Sequence, residues 1–122
     1  MYLLNRTVAV IKPRQPFLDW ANSLPNSTPV TLEELRSDPS AILIPDFDYR
    51  KDSEAFLRSR YAPIFIMELD SWDQNRKLWP AKQDYPTFKE WFDVEFCSLV
   101  VDTLDEVILK VALDTSSARK RA

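Results

Sequence analysis

Residues 7–13, Thr7-Val8-Ala9-Val10-Ile11-Lys12-Pro13, predict the first element of the fold. Four of the first five residues are β-branched, and such residues favour strands. A proline cannot donate to the hydrogen-bond ladder of a sheet, so the strand should stop at Pro13. Because the run is continuously apolar, we expect the strand to be covered on both faces.

A helix is predicted directly after this strand. Pro16 suits the first turn of a helix, and Pro25 ends the segment. The apolar residues between the two prolines recur at helical spacing: Phe17, Trp20, Ala21 and Leu24. The chain therefore begins with a strand, a tight charged turn and a helix.

The next elements are a short helix and a second strand. Thr31 and Glu34 form a capping box, which predicts a helix to about Ser37. Residues 41–44 form an apolar strand that Pro45 ends. If a helical crossover joins the two strands as neighbours, the crossover rule makes them parallel.

The second half of the chain is less regular. Asp52 or Ser53 should cap a long helix, which Pro63 kinks or divides. After an irregular connection over 73–86, Thr87 should cap a short helix that leads into a strand over 94–104. Residues 104–113 fit both a helical spacing and the alternation of a strand, and we favour a helix.

Strands separated by helical segments predict the α+β class. We expect a small sheet of three or four strands, with helices packed on it in two or three layers. Residues 1–114 should form a single globular domain, since a chain of this length can bury an independent core. Residues 115–122, which include Arg119, Lys120 and Arg121, should form a flexible basic tail.

Glycine and histidine are absent from all 122 residues, although glycine averages about 7% of soluble domains. Phosphate-binding loops such as G-x-x-x-x-G-K-[ST] need glycine where a Cβ would clash with the phosphate. The chain also lacks an imidazole for metal ligation, for proton transfer near neutral pH or for activating a nucleophile. Enzyme classes that depend on either residue are therefore excluded, and we predict no catalytic residue, cofactor or metal ion.

Charge and cysteine content restrict the partners and the location. The net charge of -3 gives no overall attraction to nucleic acid or to an anionic membrane. Cys97 is the only cysteine, and its apolar neighbours predict a buried, unreactive thiol. No signal-peptide pattern or membrane-spanning stretch is visible. We therefore expect a cytoplasmic protein without membrane association.

The candidate binding site follows from the predicted parallel strands, whose carboxyl ends would meet at one edge of the sheet. Lys12, Arg14 and Gln15 would then lie near Asp46 and Asp48. The two carboxylates suit Mg²⁺ or acid-base chemistry, although an Asp after a strand more commonly forms a turn or pairs with a nearby base. Asp102 would join them if the third strand ran the same way.

Tryptophans are the second candidate feature. Three of them lie on predicted apolar helix faces and should pack in the core: Trp20, Trp72 and Trp91. Trp79 lies instead in the long irregular connection. It should either clamp this loop to the core or anchor a protein interface.

The stretch Lys12-Pro13-Arg14-Gln15-Pro16-Phe17-Leu18-Asp19-Trp20 resembles the opening of a family of short bacterial proteins to which no activity is assigned. Weaker motifs of the family match at Leu43-Ile44-Pro45, Leu78-Trp79-Pro80, 88–92 and 95–98, so the resemblance covers about 5–102. The resemblance implies candidate site residues at Lys12, Gln15, Asp19, Trp20, Trp79, Trp91 and Glu95. The family tends to have His at Cys97 and Gly at Ser71, so a mechanism based on that histidine would be absent here.

Three functions remain open. The leading hypothesis is a non-enzymatic module that binds a protein partner or a second copy of itself through Lys12, Arg14, Gln15, Asp46, Asp48 and Trp79. The second is a carboxylate- or Mg²⁺-dependent enzyme for an anionic substrate. The third is an anion or nucleic-acid binder centred on Lys12, Arg14 and the basic tail, and nucleic acid is disfavoured by the net charge.

Overall fold

The computed structural model describes residues 1–113 and shows the predicted α+β fold. In chain order, the elements are β1 (Tyr2–Leu3), β2 (Arg6–Pro13), α1 (Gln15–Ser23), α2 (Leu32–Arg36), β3 (Ser40–Pro45), α3 (Arg50–Asp70), a 3-10 helix (Arg76–Leu78), α4 (Tyr85–Trp91), β4 (Phe92–Cys97) and β5 (Val101–Asp102). The basic tail predicted for 115–122 lies outside the described residues.

β2 is the central strand of a three-stranded antiparallel sheet with the order β3-β2-β4. Ala9, for example, pairs with Ile42 of β3 on one side and with Phe96 of β4 on the other. The strand predicted from residues 7–13 therefore organises the sheet, and β3 and β4 form its edges within residues 1–113.

β1 and β5 form a separate two-stranded antiparallel ribbon. Between the pairs Leu3↔Val101 and Val8↔Cys97, residues 4–7 face only residues 98–100. Such a one-residue mismatch is typical of a β-bulge. The ribbon therefore continues the β2–β4 pair beyond the sheet.

The two faces of β2 differ in burial. Ala9 and Ile11 are fully buried in a core that contains residues of all four α-helices, whereas Val8 and Val10 are half-buried and lie outside that core. The fold thus has a sheet layer and a helix layer, and an antiparallel sheet can leave one face in solvent. The expectation that both faces of this strand are covered is wrong.

The expectation that the first two long strands are parallel is also wrong, because β2 and β3 are antiparallel. Arg36, the last residue of α2, donates a hydrogen bond from Nη1 to the Pro13 carbonyl at 3.0 Å. α1 and α2 together therefore return the chain to the end of β2 from which it left. β3 then starts beside Ile11 and runs back along β2.

Aromatic side chains fill the centre of the core. The rings with at most 2% exposure are Phe17, Phe65, Phe88 and Phe92. Phe17 makes edge contacts with Trp20 and Trp91, at centroid distances of 5.4 and 6.1 Å. Trp72 also packs against this core, so the core role predicted for the three helix-face tryptophans is confirmed.

The predicted first and second helices are confirmed, including the Thr31–Glu34 capping box of α2. α3 continues through Pro63 as a single helix, because Leu57 and Ile64 are buried on either side of the proline and hold both halves on the core. The predicted caps differ from those observed. Tyr49 occupies the N-cap of α3, and Asp84 caps α4 by accepting from the Thr87 N–H.

The C-terminal expectations need two corrections. The strand predicted over 94–104 is divided into β4 and β5 by the bulged segment 98–100. Residues 104–113 form neither the favoured helix nor a strand, and their large apolar side chains are exposed. A short helix needs tertiary packing for its stability, and the exposed side chains of this segment provide little of it.

Candidate functional site

The antiparallel sheet separates the two halves of the predicted site. Lys12, Arg14 and Gln15 lie at the Pro13 end of β2, whereas Asp46 and Asp48 follow β3 at the opposite end, where Pro45 pairs with Arg6. Arg6 and Lys12 are six residue steps apart along β2, which corresponds to about 20 Å. The shared edge expected for these residues does not exist, and the hypothesis of a carboxylate- or Mg²⁺-dependent enzyme loses its site.

Lys12 and Arg14 instead meet two carboxylates of β4. Lys12 Nζ lies 3.1 Å from Glu95 Oε1, and Arg14 Nε lies 3.7 Å from Asp93 Oδ1. Arg36 binds the other Asp93 oxygen at 2.9 Å. These side chains are 27–58% exposed, and such pairs contribute about 0–1 kcal/mol each. Their role is to tie β4 to β2 and α2.

Sequence reasoning missed Asp93 and Glu95 as partners of Lys12 and Arg14. About 80 residues separate the partners along the chain, so no local spacing reveals the pairs. The alternation of Asp93 and Glu95 with Val94 and Phe96 was the available signal, since it marks a strand with one charged face.

Trp79 holds the long loop against the core. Its Nε1 donates to the Asp73 carbonyl at 2.7 Å, and the Arg76 guanidinium lies 5.2 Å from its ring. The ring packs against the core cluster. Of the two roles predicted for Trp79, these contacts support the clamp.

The remaining predicted residues are placed as follows. Gln15 is exposed and donates to Asp19 Oδ1 at 2.9 Å. Asp48 lines a cavity of about 210 Å³ together with Thr7 and Ser53. These positions leave the predicted binding roles of Gln15 and Asp48 as predictions.

A cavity of about 170 Å³ runs beside β4, on the side that faces away from β2, and we call it the edge groove. Its walls come from α3, α4 and β4: Arg50, Glu54, Leu57, Tyr85, Lys89, Phe92, Val94 and Phe96, with Arg14 and Asp93 also in the lining. Val94 and Phe96 share a sheet face with buried residues of β2, yet both are only half-buried. The inner side of this edge is therefore incompletely filled.

Two arginines of the edge groove are engaged in contacts within the chain. Arg50 Nε lies 2.9 Å from Glu54 Oε1, and its guanidinium lies 5.2 Å from the Phe96 ring. Arg14 Nη1 donates to the Lys89 carbonyl at 3.0 Å. Within residues 1–113, no cluster of three or more His, Cys, Asp or Glu side chains could hold a metal ion.

Cys97 ends β4 and is exposed, so the expectation of a buried thiol is wrong. It pairs with Val8 on the sheet face opposite the helices of residues 1–113. Leu43, which also pairs with Val8, is 47% exposed on the same face. The apolar run around Cys97 therefore belongs to an edge strand with an open outer face.

A group of exposed large apolar side chains lies in residues 104–113 and in the β1–β5 ribbon. We call residues 104–113 the terminal segment. Its exposed apolar residues are Leu104 (58%), Val107 (84%), Ile108 (54%), Leu109 (86%), Val111 (87%) and Leu113 (64%). The neighbouring ribbon adds Leu3, which is 71% exposed. A concentration of this kind is typical of interaction surfaces.

No family model, curated protein or solved structure matches this chain. None of the helices formed by residues 1–113 is both long enough and apolar enough to cross a membrane. The resemblance to the short bacterial proteins stays a prediction.

Proposed function

We propose that the protein is a non-enzymatic binding module that works by self-association, with a second copy of the chain as its partner. One observation carries this proposal. Between Leu99 and Leu113, seven large apolar side chains are 54–87% exposed. Single exposed apolar residues are ordinary on protein surfaces, whereas a contiguous group marks an interface.

The energetics favour association. Full burial of a Val, Leu or Ile side chain contributes about 1.5–3 kcal/mol. Association costs about 4–15 kcal/mol in lost freedom of motion, which burial of several such residues on two chains can exceed. A second copy presents the same apolar surface, and a two-fold interface would bury both copies of it at once.

A cytoplasmic location is part of the same proposal. A single cysteine fits a reducing compartment, and we place the protein in the cytoplasm on that ground. Lys12 and Arg14 form ion pairs with Glu95 and Asp93 of β4, whereas the basic tail of the anion-binding hypothesis lies outside the described residues, so that alternative stays a prediction.

Size-exclusion chromatography with light scattering on the full chain tests self-association. We expect a mass of twice 14.3 kDa at high concentration, falling toward 14.3 kDa on dilution. A mass of 14.3 kDa at the highest attainable concentration would overturn the proposal.

A further inference from the structure

We infer that residues 107–113 of one copy add as a strand to the free edge of β4 in a second copy, with alternate side chains over the edge groove. This inference rests on the proposed self-association and specifies its geometry. It names both the docking surface and its occupant.

The occupant has the sequence pattern of a half-buried strand. Val107, Leu109, Val111 and Leu113 alternate with Ile108, Lys110 and Ala112. The first four side chains are 64–87% exposed, so the described part of their own chain does not bury them. As a strand, these seven residues would span about 23 Å, close to the about 20 Å of β4.

The docking surface has both parts that strand addition requires. β4 pairs with β2 only, so within the described chain its other side presents backbone N–H and C=O groups without strand partners. Beside that edge, the groove offers the half-buried Val94 and Phe96 as apolar contacts, with the buried Leu57 at its base. Backbone hydrogen bonds would hold the added strand, and the groove would select its apolar side chains.

The opposite face of the added strand also finds a complementary charge. If Val107, Leu109 and Val111 cover the groove, Lys110 faces outward on the side of Asp93 and Glu95. The Glu95 side chain is 58% exposed and contacts Lys12 at 3.1 Å, which leaves it accessible to a second cation. Exposed charge pairs of this kind fix register more than affinity.

The choice of β4 and of a second copy follows from the structure. The edge groove lies along β4 and is lined by Phe92, Val94 and Phe96 of that strand, which favours β4 as the edge that accepts the added strand. The terminal segment starts beyond the ribbon, after Asp102, and remains exposed there. Reciprocal exchange of the segment would give each copy one added strand and close a two-fold dimer.

Two adjacent aliphatic residues provide a matched test. Leu109→Lys removes a groove-facing side chain, whereas Ile108→Lys changes the opposite face. Both residues are more than half exposed, so either variant should fold. We expect Leu109→Lys to raise the dimer Kd by about tenfold or more and Ile108→Lys to change it little.

The outcomes separate the two proposals. If both variants raise the dimer Kd equally, or if Leu109→Lys does not raise it, strand addition is wrong. Self-association would still be supported by the dimer mass. A monomeric wild-type chain would instead overturn the proposed function itself.

Cross-linking to the native Cys97 tests whether the added strand lies along β4. With Lys110 opposite Glu95, Cys97 faces residue 108 in an antiparallel strand and residue 112 in a parallel one. Under mild oxidation, we expect either Ile108→Cys or Ala112→Cys to give a covalent dimer that Cys97→Ser abolishes. Val111→Cys, on the groove side, is the matched control and should not cross-link.

Two results would overturn the inference here. One is a disulfide to Cys97 within a single chain, which would place the segment on its own β4. The other is absence of any cross-link to Cys97 while the dimer mass persists.

Discussion

Asp84 begins α4 through its side chain. Its Oδ1 accepts hydrogen bonds from the Thr87 hydroxyl at 2.6 Å and from the Thr87 N–H at 2.9 Å. These bonds stabilise the carboxylate and lower the pKa of Asp84 below its ordinary value of 3.8, with a smaller contribution from the charge of Lys82. The cap and the acidity of Asp84 therefore have the same cause.

Removing the Thr87 hydroxyl should raise the pKa of Asp84. The hydroxyl bond is the largest cause of the lowered pKa, so Thr87→Ala should move it toward 3.8, whereas Thr87→Ser should keep it low. An NMR titration of the Asp84 carboxyl measures both variants. The same pKa in Thr87→Ala and wild type would contradict this explanation of the cap.

The lowered pKa of Asp84 also determines how the stability of the fold changes with pH. A carboxyl group with a lower pKa in the folded chain stabilises the fold fully above its unfolded pKa, at about pH 4 and higher. This contribution is lost as the pH falls through the folded pKa. In Thr87→Ala, less of the stability should therefore be lost over that acidic range than in wild type.

At the scale of elements, truncating side chains on the two faces of β2 should lower the free energy of unfolding by different amounts. Ile11→Ala leaves a cavity at a site with 1% exposure and should cost about 2–5 kcal/mol of unfolding free energy. Val10→Ala, on the uncovered face, should cost about 1 kcal/mol or less. Urea denaturation measures both, and equal costs would mean that a second layer covers the outer face in the monomer.

Pro63 should destabilise α3. It is exposed on a continuous helix, and it removes the hydrogen bond that residue 63 would donate to the Ser59 carbonyl. Pro63→Ala should therefore stabilise the protein by about 1–3 kcal/mol, because the gain in the helix exceeds the smaller entropy effect on the unfolded chain. Destabilisation in urea would indicate that the proline supports a bend that packing requires.

Elements with local signals were predicted well from the sequence. Pro16 and the Thr31–Glu34 capping box act on the nearest turn of the chain, so α1 and α2 follow from them. The β-branched run around Val8 likewise predicts β2. The α+β class follows from the order of these elements.

Features that depend on distant contacts were not predictable in the same way. The direction of β3 depends on where α2 ends in space, which the Arg36–Pro13 hydrogen bond fixes. The exposure of Cys97 results from its position at the end of an edge strand. Both errors affected the candidate site, since the first separated Lys12 from Asp46 and the second placed the thiol on the surface.

At the scale of the whole molecule, the absence of glycine and histidine gains a structural meaning. Among residues 1–113, the one positive φ occurs at Asn26, with φ 60°, a conformation that asparagine tolerates. The turns are thus made with residues other than glycine, and the charged clusters serve to hold strands together. Among the described residues, large apolar side chains that remain exposed are concentrated in the terminal segment.

Amide hydrogen exchange in residues 107–113 tests self-association through this segment most directly. We predict protected amides at high protein concentration, because strand addition hydrogen-bonds them, and exchange approaching that of an unstructured chain on dilution. Unprotected amides at every concentration would contradict the account. So would protection that does not change on dilution while the mass remains that of a single chain.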